Sequence, residues 1–214
     1  MSMSKLALLS LAIAAMMIPA AQAALELTEL PDGYVANWAG KSSYFVNLGG
    51  GQILHGHVEF AVYDTQAGNV GIAAPGGHKY LYAYQVFNTG AHATATLSHF
   101  GLTGIGSDAI ASMNDIDTAQ NPGNGIDATQ SYFNLSKTKA VFEFADGAFI
   151  VGENSFFLLF GSDSTPVVGG FEVVENPDDD VVVPGGDDNV PVIPEPATLA
   201  LLLGGALISL RKRK

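Results

Sequence analysis

The chain has 214 residues, no cysteine and a formal net charge of −12 at pH 7. Residues 24–210 hold four lysines against all 21 acidic residues, a formal charge of −17, because the other five cations lie near the two termini. This composition excludes disulfides, thiolate metal sites and thiol nucleophiles, and it argues against nucleic acid as a partner, while neutral sugars or divalent cations remain suitable.

The first 23 residues have the three regions of a secretory signal peptide. Lys5 supplies a positive charge, residues 6–18 are apolar, and Ala21 and Ala23 occupy the small-residue positions before a cleavage site. The apolar run is too short for a stable membrane span, so we expect signal peptidase to cut after Ala23. The chain is therefore predicted to be exported through the inner membrane.

Between residues 24 and 175, short apolar or alternating runs are separated by clusters of Gly, Asn, Asp and Pro, which predicts strands joined by turns. A helical pattern occurs only around residues 108–113. We predict one all-β domain, an antiparallel β-sandwich of immunoglobulin-like or jelly-roll-like type, flanked by an N-terminal signal helix and a C-terminal transmembrane helix. The predicted strands are 43–48, 53–63, 79–88, 94–100, 131–135, 139–144, 149–151, 156–161 and 167–174.

Three tyrosines alternate along one predicted strand, at Tyr80, Tyr82 and Tyr84. Alternate residues of a strand share a face, so these rings lie together. Such a ladder is more often part of a core or a cross-strand stack than a platform for a ligand. We therefore predict that the three side chains belong to the core of the sandwich.

Residues 176–193 read NPDDDVVVPGGDDNVPVI and mix Pro, Gly and Asp. This composition cannot bury a hydrophobic core, so it predicts an extended, acidic linker. Its expected role is to hold the domain away from the membrane while the C-terminus is processed.

The last 21 residues, 194–214, begin with Pro194, Glu195 and Pro196. Pro196 fits the first position of a helix, and Glu195 lies where the helix dipole favours an anion. Residues 197–210 carry no charge, and at about 1.5 Å each they give a helix of roughly 21 Å, against a hydrocarbon core of about 30 Å. The basic residues after this helix hold the C-terminus in the cytoplasm; they are Arg211, Lys212, Arg213 and Lys214.

Two interpretations of this tail remain open on physical grounds. One is a plain single-span anchor with a Pro-rich neck. The other is a sorting signal that a protease removes, as happens to the tail of a GPI-anchored protein.

The order Pro-Glu-Pro, short apolar helix and terminal basic cluster resembles the PEP-CTERM sorting domain of Gram-negative bacteria. Ala197 and Thr198 after the motif and the mid-helix pair Gly204-Gly205 also resemble that family, whereas Ile193 stands where the family usually has Val. The resemblance implies recognition by an exosortase, cleavage near the Pro-Glu-Pro motif, and release to the cell surface or extracellular matrix. It also implies an association with exopolysaccharide and biofilm, and it covers about a tenth of the chain.

Two further stretches resemble the body of many PEP-CTERM proteins. Residues 80–90, YLYAYQVFNTG, are similar to a Tyr-rich strand of their immunoglobulin-like domain. Residues 156–166, FFLLFGSDSTP, are similar to its late hydrophobic strand. This second resemblance implies an immunoglobulin-like sandwich.

His55, His57 and Glu59 form the first candidate metal site. On a strand they share a face, so two imidazoles and a carboxylate converge there. The pattern partly resembles the cupin signature, with Gly49 six residues before His55, but Glu59 follows His57 after one residue where that family has three or four. The competing interpretation is the polar outward face of an amphipathic strand.

Asp115 and Asp117 belong to the second candidate, in the Asp- and Asn-rich residues 108–127. Oxygen ligands at short spacing are what Ca²⁺ requires. The spacing is not that of an EF-hand, because Ala119 stands where the third oxygen donor belongs. Local capping of turns by Asn and Asp explains the same composition. We therefore expect no cofactor, with Ca²⁺ as the open alternative.

Known catalytic motifs are not met by the sequence. Ser107 lacks the Gly-x-Ser-x-Gly elbow, and residues 101–106 lack the Lys of a phosphate-binding loop. The first hypothesis is therefore a non-enzymatic surface or matrix protein with a structural or adhesive role. Its expected partners are signal peptidase, an exosortase and exopolysaccharide, and it is expected to be held in the inner membrane before processing. The alternatives are an exported cupin-like metal-dependent enzyme using His55 and His57, and a carbohydrate-binding module.

Overall fold

The computed structural model describes residues 34–67, 73–119, 125–175, 183–184 and 190–192. Within these ranges the regular structure is β, apart from single 3₁₀ turns at Pro75–Gly77 and Ser107–Ala109. The strands, numbered in chain order, are β1 Tyr34–Gly49, β2 Gln52–Asp64, β3 Tyr80–Phe87, β4 His99–Thr103, β5 Ile116–Ala119, β6 Gln130–Phe133, β7 Lys139–Glu143, β8 Phe157–Ser162, β9 Val167–Val174, β10 Val183–Pro184 and β11 Val190–Val192.

The strands form two antiparallel sheets. The first has the order β1-β2-β3-β8-β5 and the second the order β10-β9-β4-β7-β6, with β11 also paired to β9. The described pairs in both sheets are antiparallel. The prediction of an all-β antiparallel sandwich is therefore confirmed.

The inner faces of the two sheets meet through aromatic rings. Tyr84 of β3 lies 6.2 Å from Phe100 of β4, and Phe160 of β8 lies 6.1 Å from Phe133 of β6 between ring centroids. Tyr82 stacks on Phe160 at 4.6 Å. Because the tyrosines of β3 are buried in this layer, the prediction that the ladder belongs to the core is confirmed.

A smaller apolar cluster lies on the opposite, outer face of the first sheet. We call it the outer cluster; its members are Ala61 and Tyr63 of β2, Leu81 and Ala83 of β3, Phe157 and Leu159 of β8, and Ala74 from the loop before β3. In each strand these residues alternate with residues of the main core. The middle of the first sheet is therefore apolar on both faces.

Several predicted strand boundaries were wrong. Residues 149–151 form no strand; Phe149 is buried instead because its ring packs edge-on against Phe144 at 4.8 Å. Strand β1 begins at Tyr34, nine residues before the predicted start, and β5 was missed. Around residues 108–113 the structure has only the end of a 3₁₀ turn, not a helix.

The two shortest strands lie within the predicted linker 176–193. Val183 and Pro184 pair with Val173 and Glu172, and β11 pairs with residues 167–169. These two parts of the linker are thus attached to the second sheet through β9. The other linker residues lie outside the described ranges.

Among the residues that the structure describes, no helix is long and apolar enough to cross a bilayer. The predicted signal peptide, including Ala21 and Ala23, and the predicted tail 194–214 lie outside the described residues. Both therefore remain predictions from the sequence.

Candidate functional site

The polar residues of β2 lie on the outer face of the first sheet, beside residues of β1. Side chains of β2 alternate between buried positions such as Leu54 and Val58 and partly exposed positions at His55 and His57. The antiparallel register places Phe45 directly opposite His55, Ser43 opposite His57 and Lys41 opposite Glu59. Directly opposite side chains are near enough to touch, so this face carries one continuous group of rings and charges.

Three rings meet at the end of this face next to the β1–β2 turn. His55 stacks on His92 with 5.6 Å between ring centroids, and Phe45 meets His55 edge-on at 5.3 Å. The backbone N–H of His92 donates to Nδ1 of His55 at 3.2 Å, so the proton of a neutral His55 lies on Nε2. A Cβ at Gly90 would collide with the His55 ring, so glycine is needed where this loop approaches β2.

Phe45 is unusual because 56% of its surface is exposed. It is one of a small number of large apolar side chains that the described residues expose, and two histidine rings stand beside it. A flat, solvent-facing ring framed by imidazoles is suited to stacking against a ligand.

The next row of the face combines a second stack with an ion pair. His57 lies flat against Phe87 of β3, with centroids 4.4 Å apart. Lys41 Nζ lies 3.0 Å from Glu59 Oε1, and His57 Nε2 lies 3.5 Å from the same oxygen. Burial lowers the pKa of His57, and the charge of Lys41 lowers it further against the opposing effect of Glu59. His57 is therefore mainly neutral at pH 7.

One of the two carboxylate oxygens of Glu59 is unpaired among the described residues. Its side chain is only 9% exposed, yet Oε2 has no hydrogen-bond partner among the described residues. A buried acceptor without a donor costs free energy, so a ligand hydroxyl or amine that reached Oε2 would gain a favourable contact. We call the whole group the imidazole ledge: Lys41, Phe45, His55, His57, Glu59, Phe87 and His92.

The first candidate metal site does not converge in the structure. His55, His57 and Glu59 do share the outer face of β2, but His55 faces His92 whereas His57 faces Phe87 and Glu59. Within residues 34–67, 73–119 and 125–175 no group of three or more His, Asp or Glu side chains is arranged to hold a metal ion. The outer face of β2 is thus polar and aromatic, without the ligand geometry that a cupin-like centre requires.

The second candidate is divided between two places. Asp115 is buried, and its Oδ2 accepts from the Ser112 backbone N–H and contacts His78. Asp117 lies in β5, is exposed, and accepts from the backbone N–H of Thr118. Both are local hydrogen bonds between an Asp side chain and a nearby backbone N–H, which Asp commonly forms for purely local reasons. Asp115 and Asp117 therefore do not form a shared set of calcium ligands.

His78 forms a separate polar cluster at the opposite end of the first sheet from the turn between β1 and β2. Its Nε2 lies 3.0 Å from Asp115 Oδ2, and its Nδ1 lies 3.2 Å from Asp163 Oδ2. Burial lowers the pKa of His78, but the hydrogen bonds to the two aspartates outweigh burial and leave it raised. Both ring nitrogens face carboxylates, so neither is left to accept a proton from a nucleophile.

The second sheet also carries ion pairs on its outer face. His99 Nε2 lies 3.3 Å from Glu143 Oε1, and the Tyr132 hydroxyl donates to that oxygen at 2.6 Å. Lys139 pairs with Glu172 across the side-chain gap left by Gly101. Lys139 and Glu172 neutralise each other, and Glu143 is held by the side chains of His99 and Tyr132, so both groups are arranged as structural contacts.

Sequence reasoning identified three members of the ledge and missed four. Lys41 and Phe45 lie opposite β2 only because of the hairpin register, which the glycine run at 49–51 sets. Phe87 ends the tyrosine-rich strand, and His92 arrives on a loop. One signal for Lys41 and Phe45 was available, the alternation of polar and apolar residues in β1. That alternation did not indicate which residues of β2 would lie opposite Phe45.

Comparison of the chain with models of protein families, with curated proteins and with solved structures found no match.

Proposed function

We propose that the chain is an exported surface or extracellular-matrix protein of a Gram-negative bacterium, with an immunoglobulin-like sandwich that works by adhesion and not by catalysis. The leader and the tail support export, since each has the residue pattern of its own signal. In this proposal an exosortase recognises Pro194, Glu195 and Pro196 and releases the protein from the inner membrane. The ligand is the exopolysaccharide of the same cell.

The imidazole ledge is the observation that supports adhesion. Phe45 offers an exposed ring face, and the His55 and His92 rings extend the same surface. Glu59 lies two rows further along the same face of β2, and its Oε2 has no hydrogen-bond partner among the described residues. Aromatic faces combined with a few placed polar groups are the usual elements of a binding site for an uncharged organic ligand.

Electrostatics favours a neutral polysaccharide over an acidic one. Glu59 is already balanced by Lys41, so the ledge has no spare cation for a uronate or sulfate. The surrounding chain, residues 24–210, carries a formal charge of −17 and repels polyanions. We therefore expect retention on neutral glycans that changes little with salt.

The test is retention of the purified exported protein on exopolysaccharide from the producing bacterium. We expect Phe45→Ala and His92→Ala each to reduce retention by about tenfold, which corresponds to the loss of one stacking contact of about 1.4 kcal/mol. Leu135→Ala is the matched control, because Leu135 is 99% exposed and lies in the β6–β7 turn, away from the ledge. If Phe45→Ala and His92→Ala were retained as well as Leu135→Ala and the unaltered protein, the imidazole ledge would not be the adhesive surface and the proposal would be refuted.

A further inference from the structure

The exposed part of the imidazole ledge follows one line along β1. Between residues 41 and 47 every second side chain is exposed in the chain as a whole, and the side chains between them are buried. The exposed residues, which we call the β1 strip, are Lys41, Ser43, Phe45 and Asn47. Because successive side chains of a strand point to opposite faces, the strip lies on the outer face of the first sheet and is open along its whole length.

The imidazole ledge has two chemically different ends along this strip. Next to the β1–β2 turn the ring of Phe45 is exposed beside two histidine rings. Four residues away on β1, the side chain of Lys41 is 54% exposed, and its Nζ carries three donors of which Glu59 Oε1 accepts one. Between the two ends Ser43 is a small side chain, and the stacked ring of His57 lies opposite it on β2. A ligand can therefore stack at one end and form hydrogen bonds at the other.

One sugar ring cannot contact both ends of the ledge. Phe45 and Lys41 lie on the same strand. Their separation of four residues is about 14 Å at about 3.4 Å per residue, which matches about three sugar rings joined end to end. A single unit therefore stacks on Phe45 or binds Lys41, whereas a chain of units does both. Each contact is weak alone because it lies on an exposed strand, so affinity requires several units of one chain to bind together.

On the basis of the function proposed above, we propose that the ledge binds an extended run of about three sugar units of a neutral glycan, which lies along β1 from Phe45 to Lys41. A sugar at one end of the run stacks its apolar face on the Phe45 ring. A sugar at the other end accepts hydrogen bonds from the ammonium group of Lys41 through its hydroxyl oxygens. The pairing of Lys41 with Glu59 keeps this end free of net charge, which suits a neutral ligand.

Dependence on the length of the glycan is the direct test. Exopolysaccharide from the producing bacterium is cleaved by mild acid, and its disaccharide and hexasaccharide fragments are separated by size. Each fraction then competes with the intact polysaccharide for the purified exported protein. We expect the hexasaccharide to compete more than about tenfold better per mole than the disaccharide, a larger gain than the about fivefold that its more numerous binding positions alone would give. A smaller difference would refute the extended site.

A double variant locates the end of the site that is far from the rings. Lys41→Ala with Glu59→Gln removes both charges together, so no buried carboxylate is left without its partner. We expect this variant to bind the hexasaccharide at least about fivefold more weakly, and Leu135→Ala, the matched control, to bind it as the unaltered protein does. Unchanged binding of the hexasaccharide by a folded double variant would refute the proposal. The length test uses the unaltered protein, so it decides the question even if the double variant does not fold.

The same measurements separate this extended site from the proposed function on which it rests. If the unaltered protein is not retained on the exopolysaccharide at all, the proposed function is refuted and the extended site with it. If retention is lost in Phe45→Ala but does not depend on fragment length, adhesion by the ledge stands and only the extended site is refuted.

Discussion

His78 Nε2 lies 3.0 Å from Asp115 Oδ2, which ties the loop before β3 to the start of β5. The other ring nitrogen faces Asp163 at 3.2 Å, just after β8, and Asp163 also accepts the backbone N–H of Lys79 at 2.9 Å. A protonated imidazole can donate to both carboxylates, whereas a neutral one can donate to only one. The cluster is therefore a clamp on three segments that depends on the charge of one side chain.

This clamp predicts a specific pH dependence of stability. Because the pKa of His78 is raised above its ordinary value of about 6.5, the clamp stabilises the fold fully below that pH and is lost as the pH rises through the folded-state pKa. We expect the free energy of unfolding to fall by about 1 kcal/mol between pH 6 and pH 9, measured by urea denaturation. In His78→Gln this component should be missing, and an unchanged profile would contradict the clamp.

The two aspartates of the clamp should differ in importance. The Asp115 side chain is 4% exposed and that of Asp163 is 74% exposed. We expect Asp115→Asn to cost about 2 to 3 kcal/mol, because a buried charge loses its partner, and Asp163→Asn to cost less than about 1 kcal/mol. Urea denaturation of both variants at pH 6 gives the comparison, and equal costs would show that burial does not decide the strength of these pairs.

Two glycines in β-strands should respond very differently to alanine. A Cβ at Gly56 would collide with the carbonyl oxygen of Phe87 and lie 2.6 Å from the Tyr44 hydroxyl, which donates to that carbonyl. Backbone cannot move away cheaply, so we expect Gly56→Ala to cost more than about 3 kcal/mol. At Gly101 the atoms nearest to a new Cβ belong to the side chains of Glu172 and Lys139, which move more easily than backbone, so Gly101→Ala should cost less than about 1.5 kcal/mol. Similar losses in thermal and urea unfolding would contradict this difference.

Some of these contacts could be predicted from the sequence and others could not. The alternation of residues 53–63 predicted which residues of β2 face outward, since a period of two is a local property of a strand. The alternation could not predict the contact between His92 and His55, because that contact depends on how the loop after β3 folds back onto β2. The same limit applies to His78, whose partners are 37 and 85 residues further along the chain. The four-residue β5 was missed because its Asp and Thr read as a turn.

Calcium should bind weakly or not at all to the acidic residues around β5. Asp115 is engaged by Ser112 and His78, and Thr118 contacts Asp117 through its N–H and Asp127 through its hydroxyl. Ca²⁺ prefers six to eight oxygens converging on one point, and these carboxylates do not converge. Calorimetric titration of the exported protein should show no heat of binding at about millimolar Ca²⁺. A stoichiometric signal that disappeared in Asp117→Asn would contradict this expectation.

The tail offers the sharpest test of sorting. The helix that the sequence predicts over residues 197–210 would reach roughly 21 Å and would span a hydrocarbon core of about 30 Å only with help from the flanking basic residues, which would suit a temporary anchor. We expect replacement of Pro194, Glu195 and Pro196 by alanine to leave an uncleaved, membrane-bound protein, detected by its mass in the membrane fraction. Ile193→Val is the matched control, because it makes a small change beside the motif and should be processed normally. Normal release of the alanine variant would mean that these residues are not a cleavage signal and that the tail serves only as an anchor.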